Sequence, residues 1–545
     1  MGGVHEFAVI AAAQGLLGNY WAKMVDPSLN PFRGVYQLNS FDLAIMIPYF
    51  VILVVLAAFG LHRYWLVYEY AKHRKNTPGP PPPVAAWPKV TIQLPIYNER
   101  YVIERLVEAV ARFDYPPELL EIQVLDDSTD ETQQVARACV ERYQALGVSI
   151  HYVHRSNREG FKAGALAHGL ESATGELVAI FDADFLPSPD FLRQTLPYFA
   201  DPKLAMVQTR WTYLNRHYSA LTEVESILLD GHFIIEHGAR ARSGLFFNFN
   251  GTAGVWRRSA IDDAGGWQHD TLTEDTDLSY RAQLRGWRFL YLPDVECLSE
   301  LPVEMNSFKA QQARWAKGLM QTAKKILPRV MRADVPNGVK AEAVFHLTAN
   351  ISYPLMVLLS TLLLPAMIVR FYQGWFQMLL IDLPLFIASS CSISGFYLAA
   401  ERAIYPKTWK RAILYLPLVM AVGIGLSVRN AKAVIEAILG VKSEFARTPK
   451  YRIEGQAGTW QKKTYRNRAG WLPWFEVALG LYFAATVWYA IQNENYATVP
   501  FLVLFVWGYL YTGLMSLGQA YIDRLRFGVR LPEEVRAATT GAPGF

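Results

Sequence analysis

Apolar residues in this chain gather toward its two ends. They concentrate before residue 70 and after residue 340, and a polar stretch of mixed pattern lies between. A chain divided this way cannot bury its apolar residues in one globular core. The pattern predicts a water-facing domain set between membrane helices. Of the 545 residues, 52% are hydrophobic and 19% charged, too apolar for an ordinary soluble protein and too polar for one embedded throughout. Much of the excess positive charge (+5 net) lies beside the apolar runs, as membrane-flanking charge does, and this argues against a nucleic-acid partner. Cys139, Cys297 and Cys391 are far apart with no metal-ligand spacing, so neither a disulfide framework nor a zinc site is expected. A reducing compartment suits the central domain.

The run Leu43 to Tyr68 is long enough to cross about 30 Å of hydrocarbon at about 1.5 Å per residue. Arg63, Lys72, Arg74 and Lys75 follow it or close it, which places the emerging chain in the cytoplasm. Thr77 to Pro88, with prolines from Pro80 to Pro83, cannot continue a helix and reads as a stiff linker. The apolar stretch Phe7 to Leu17 lacks a basic leader and reads as an interfacial helix rather than a signal peptide.

Further apolar runs lie at 352–370, 378–400, 412–428, 473–491 and 498–520. The loops 401–411 and 429–470 are both basic, and a span between them would put them on opposite sides. The segment 412–428 is also short and interrupted by Pro417, Gly423 and Gly425, so it is expected to lie in the interface or re-enter. Five spans result. The expected organisation is an interfacial segment 1–40, a first span 41–68, a linker 69–88, an α/β domain 89–335, membrane and interfacial helices 336–520, and a cytosolic tail 521–545.

Between Lys89 and Pro328, strand and helix patterns alternate. Val90–Leu94, Ile122–Leu125, Ser149–Val153 and Leu177–Phe181 have strand length, and Glu99–Phe113, Glu131–Leu146 and Lys162–Ser172 have helical patterning between them. This predicts a mainly parallel sheet with helices on both faces, whose ligands bind beyond the carboxyl ends of the strands. Carboxylates stand there: Asp126-Asp127 after one strand, Asp182-Ala183-Asp184 after another. Two carboxylates one residue apart can face a hard cation completed by phosphate oxygens and water, although Asp also serves simply as a turn and cap residue. Ser188-Pro189 is expected to open the next helix. Glu274, Asp275 and Asp277 fall in the first turn of a helix beginning at Thr273; they either complement its dipole or supply a general base. Gln311, Arg314 and Trp315 share one face of a helix from about Ser307 to Lys325, suited to phosphate and sugar or to a bilayer surface. Lys162 stands at a helix start behind Gly160, where it either meets a phosphate or is simply solvated.

In this order, LPIYNE (Leu94–Glu99), DDST (Asp126–Thr129), GFKAGAL (Gly160–Leu166), FDAD (Phe181–Asp184), FNGTAGVW (Phe249–Trp256), TED (Thr273–Asp275), QQARW (Gln311–Trp315) and GVKSEFARTPK (Gly440–Lys450) resemble the family 2 glycosyltransferases. The resemblance is to the membrane-bound, cellulose-synthase-like enzymes, in wording closest to the mannan and glucan synthase-like branches. It implies a GT-A-type fold and inverting transfer in a single displacement. By the same resemblance Asp126 or Asp127 would contact the nucleotide, and Asp182 and Asp184 would hold ribose and a Mn²⁺ or Mg²⁺ on the diphosphate; Lys162, from its place at a helix start, is a candidate substrate-binding residue. Asp275, with Glu274 beside it, would be catalytic. Gln311 and Arg314 would hold donor and acceptor, and Trp315 would stack on the acceptor end. Phe445, Thr448 and Lys450, near 440–455, are similar to the family's gating loop, with Arg447 where that loop has Val.

The function expected is a processive synthase extending a β-linked glycan from UDP-glucose or GDP-mannose and passing it through the bilayer. The acceptor would be a glycan or a lipid. The alternatives are a non-processive transferase acting on a lipid, and a transporter or scaffold that only binds a nucleotide sugar.

Overall fold

The computed structural model describes residues 28, 32, 35–373, 383–442, 447–458, 460, 463, 465, 467 and 470–527. The proposed helix at 7–17, Phe445 of the gating-like loop and the end of the tail lie outside the described residues.

Eight strands form one sheet: β1 (Val90–Ile96), β2 (Leu120–Asp126), β3 (Ile150–His154), β4 (Leu177–Ile180), β5 (Phe185–Pro187), β6 (Leu204–Tyr213), β7 (Gly254–Arg257) and β8 (Arg288–Ser299). Their order is β3-β2-β1-β4-β7-β6-β8-β5. The first four are parallel, β6 pairs parallel with β8, and β7 and β5 run antiparallel to their neighbours. β1, β2 and β4 are buried at every position, and the polar residues of β1 and β2 pair with one another: Thr91 donates to Glu121 (2.6 Å) and Gln93 to Gln123 (3.1 Å). One core packs helices Ile103–Ala111 and Thr132–Ala145 on one face, and a second packs Phe161–Ser172 and Glu274–Leu284 on the other. This is the expected GT-A-type architecture, and it delivers the β2 and β4 carboxylates to the same edge.

The helix after the Asp182–Asp184 turn differs from expectation. It runs Phe191–Thr195 behind Asp190, because β5 takes up the chain first; Ser188 donates from Oγ to Asp190 Oδ1 (2.6 Å) instead of capping.

Among the described residues, five helices are long and apolar enough to cross a membrane: Ser40–Lys72, Asn337–Tyr372, Trp409–Leu439, Leu472–Gln492 and Val499–Gln519. The described part of the expected span at 378–400 belongs to the helix Leu383–Ile404, and the segment read as short and broken is one continuous helix, Ala412–Leu439. Pro417 is accommodated near its start. Gly425 is a contact point: a Cβ there would lie 2.4 Å from Thr512 and 2.5 Å from Gly508 O. Both ends of this helix touch the α/β domain. Leu418, Val419 and Val422 pack with Leu221, Val224 and Phe308, while Val434 and Ala437 pack with Met320, Ile326 and Tyr280.

Candidate active site

One cavity lies past the carboxyl ends of the central strands. Asp127, Lys162, Asp182, Asp184, Glu274, Asp275, Gln311, Arg314, Trp315, Thr448 and Lys450 all line it, brought together from positions more than 300 residues apart. Asp126 does not line it. That carboxylate is fully buried, accepting from Ser128 N (2.8 Å) and Tyr152 OH (2.7 Å), so it holds the turn that presents Asp127. Asp127 is itself clamped by Arg155, from Nε at 2.8 Å and Nη2 at 2.5 Å.

The Asp182–Asp184 turn is pinned by the neighbouring FNGT segment. Asp182 N donates to Thr252 Oγ1 (2.9 Å), and Lys162 Nζ bridges Asp182 Oδ1 (2.5 Å) and Gly251 O (2.9 Å). Gly251 adopts φ 81°, and a Cβ there would come within 3.0 Å of Asp275 Oδ2, so only glycine lets this backbone approach the acid so closely. Asp275 lies in the first turn of Glu274–Leu284, and Gly318 brings the helix Met305–Arg332 against that start: a Cβ on Gly318 would lie 2.6 Å from Thr273 Cγ2. Gln311, Arg314 and Trp315 are thereby set over the acid pair.

Burial pushes the Asp275 carboxyl up to about 7, with the neighbouring Glu274 adding to it, against hydrogen bonds from Thr276. Removal from water here outweighs the helix dipole, which favours the ionised form. Burial likewise raises Asp182 despite Lys162, and raises Glu274 despite Lys162 and Arg314.

Two groups that sequence reasoning left without a role also line the cavity. Glu99 belongs to the LPIYNE segment; burial raises it to about 7, opposed chiefly by Arg447, 3.4 Å away. Glu300 directly follows β8, accepts from Tyr451 N (2.7 Å) and pairs with Arg105 (3.2 Å). Nothing local in the sequence marks Glu300. Arg447, which replaces the family's Val, also bonds Asn98 O and lies over the Tyr465 ring (4.5 Å). Lys450 Nζ sits 2.7 Å from Asp184 Oδ2 and bonds Glu300 O. The described part of the loop is therefore seated in the cavity.

Residues 88–318 match the family model described as glycosyltransferase like family 2. This stretch is a family 2 glycosyltransferase domain. The domain resembles "Glucomannan 4-beta-mannosyltransferase 1" of Oryza sativa subsp. japonica, 45% identical over 253 residues, 46% of this chain and 49% of the relative. It also resembles "Glucomannan 4-beta-mannosyltransferase 2" of Arabidopsis thaliana, 44% identical over 251 residues, 45% of this chain and 47% of the relative. The chain thus spans about half the length of the curated relatives it matches. Among solved structures, "Mannosyltransferase PcManGT from Pyrobaculum calidifontis in complex with GDP-Man and Mn2+" aligns with TM-score 0.47 and 24% identity, over 66% of this chain and 99% of that one.

The cellulose-synthase-like resemblance of the mannan branch holds for this domain. Among the described residues no three His, Cys, Asp or Glu side chains form a closed metal cage. Asp182 and Asp184 offer two hard carboxylates side by side, a donor set that fits a cation whose other ligands come from phosphate and water.

Proposed function

We propose that the chain is an inverting, processive β-glycosyltransferase of a membrane, with GDP-mannose as donor. The observation that carries this reading is the single cavity in which Asp182–Asp184, Asp275, the Gln311–Arg314–Trp315 face and Thr448–Lys450 meet. The mannosyltransferase names of its relatives favour GDP-mannose over UDP-glucose.

Asp127 would face the nucleoside, Lys162 and Arg314 would offset diphosphate charge, and Trp315 would stack on the acceptor sugar. Asp275 would take the proton from the acceptor hydroxyl as that oxygen attacks the anomeric carbon opposite the leaving diphosphate, inverting configuration. Asp182 and Asp184 would hold Mn²⁺ or Mg²⁺, which makes the diphosphate a better leaving group.

For topology, the reading is five spans: the helices Ser40–Lys72, Ser352–Gln373, Leu383–Ile404, Leu472–Gln492 and Val499–Phe527. Ala412–Leu439 would lie along the interface, since both its ends rest on the domain. The basic residues after Ser40–Lys72 support a cytoplasmic position for that domain.

Purified protein offered a panel of nucleotide sugars with Mn²⁺ or Mg²⁺ should convert GDP-mannose to a β-linked polymer, resolved by product sizing and linkage analysis. Mainly mono-glycosylated lipid would replace this reading with the lipid transferase. Nucleotide binding without turnover would leave only a binding protein. Excess EDTA should abolish turnover and added Mn²⁺ or Mg²⁺ restore it; full activity in EDTA would remove the metal from the scheme.

A further inference from the structure

The chain from Ala220 to Arg242 is one continuous helix whose middle turn is widened. Gly231–His237 is a π-helical segment between Ala220–Asp230 and Gly238–Arg242. Such a segment bonds each residue to the fifth one on, and it recurs at functional sites. Its effect here is local and definite. On an α-helix, residues five apart point about 140° away from each other. Here His232 and His237 stand side by side instead, with ring centroids 4.6 Å apart.

Both rings face the FNGT segment. His232 Nε2 lies 3.0 Å from Asn250 Oδ1, and His237 Nε2 lies 3.0 Å from Asn250 Nδ2 and 2.9 Å from Asn248 O. The Asn250 amide is held at both its atoms, and Asn250 lines the catalytic cavity, which neither histidine does. The next two residues make the contacts that fix the site: Gly251 O accepts from Lys162, and Thr252 Oγ1 accepts from Asp182 N. The π turn is in turn braced from the membrane side. His232 Nδ1 lies 2.8 Å from Glu236 Oε2, and Arg240 Nη1 stands 3.7 Å from the same oxygen. Arg240 donates from Nε to Glu342 Oε1 (2.7 Å), and Glu342 Oε2 lies 2.7 Å from Nε2 of His62 on Ser40–Lys72. Although burial opposes it, the bond to His232 and the Arg240 charge hold the Glu236 carboxyl well below its usual range. On the other flank, Gly231 lets Leu383–Ile404 come close: a Cβ there would lie 2.7 Å from the rings of Phe396 and Tyr397.

We propose that His232 is a positioning residue for the transfer reaction. Through Asn250 it sets the FNGT segment, and with it the places of Lys162 and Asp182 against the diphosphate of the donor. The inference rests on the reading of the cavity as a nucleotide-sugar site, whichever sugar is carried.

The test uses the full chain in detergent, with GDP and, in parallel, UDP as binding probes in the presence of Mn²⁺, and initial rates on the matching nucleotide sugar. His232→Phe keeps an aromatic ring but has no hydrogen bond to give Asn250, whereas His232→Gln keeps one. The His232 side chain is 29% exposed, so both replacements should leave the unfolding midpoint in place. His232→Phe should bind the nucleoside diphosphate about fivefold to tenfold more weakly, the worth of one hydrogen bond, and raise the donor KM in proportion with kcat little changed. His232→Gln should stay near wild type. Added to Asn250→Ala, His232→Phe should cost nothing more, because its effect passes through the amide already removed. Unchanged nucleotide affinity in His232→Phe would overturn the assignment. So would equal losses in His232→Phe and His232→Gln, which would make the ring a packing group, or losses that add in the double variant. Wild-type protein that binds neither nucleoside diphosphate would instead end the nucleotide-sugar reading, and this inference with it.

Discussion

Asp275→Asn is expected to lower turnover by about 10²- to 10⁴-fold while sparing nucleotide binding, the range for loss of a positioned general base. The substitution keeps the shape and the acceptor oxygen for Thr276 N (2.6 Å) but removes the proton-accepting charge. The pH profile gives an independent readout. Burial and Glu274 bring Asp275 to about 7, and a base works only when deprotonated. Activity should therefore rise with pH through about 7 and fall away below it, instead of reaching its plateau near the ordinary carboxylate range. Glu99 is also raised to about 7, beside Arg447, so Glu99→Gln serves as the control and should retain the rising limb. A limb that survives in residual Asp275→Asn activity, or near-normal turnover by that variant, would remove Asp275 from its role.

The parts of this site that could be read from sequence are those whose signal is local. Strand-length segments bounded by polar turns place their last residues at the sheet's carboxyl edge, so acids at that point stand out; Asp127, Asp182 and Asp184 were legible for that reason. Helical spacing placed Gln311, Arg314 and Trp315 on one face, and all three line the cavity. What could not be read depends on partners far along the chain. Asp126 and Asp127 look equivalent until Tyr152 claims the first and Arg155 the second. Glu300 has its meaning from Arg105 and Tyr451, 195 and 151 residues away. Ala412–Leu439 was cut short because glycine reads as a breaker. Gly425 is instead where another helix comes closest, and this shows only once Thr512 is beside it. The base strength of Asp275 could not be read for the same reason, since its helix position is local and its burial is not.

Glu476→Gln is expected to destabilise the folded protein by about 3–5 kcal/mol, the cost of leaving a buried charge without its partner. Lys309 Nζ lies 2.6 Å from both oxygens of Glu476 and 3.2 Å from Ser516 Oγ, with the lysine side chain 1% exposed and the glutamate 0%. Three helices meet at this ammonium: Met305–Arg332, which carries Gln311, Arg314 and Trp315, and the apolar helices Leu472–Gln492 and Val499–Phe527. Losing the carboxylate leaves the buried ammonium with a neutral amide and the Ser516 hydroxyl in place of its counter-charge, and the helix over the active site loses its ionic tie to the membrane region. The unfolding midpoint in detergent should therefore drop in Glu476→Gln, and again in Lys309→Met alone. The pair Lys309→Met with Glu476→Leu should recover most of the loss, because two apolar side chains of similar volume need no partner. If each single substitution left the midpoint unchanged, the pair would not be holding these helices together. If the double variant were as unstable as the singles but still turned over, the pairing would matter through packing alone. Stability recovered without activity would instead assign the ion pair to the orientation of the Gln311–Trp315 face.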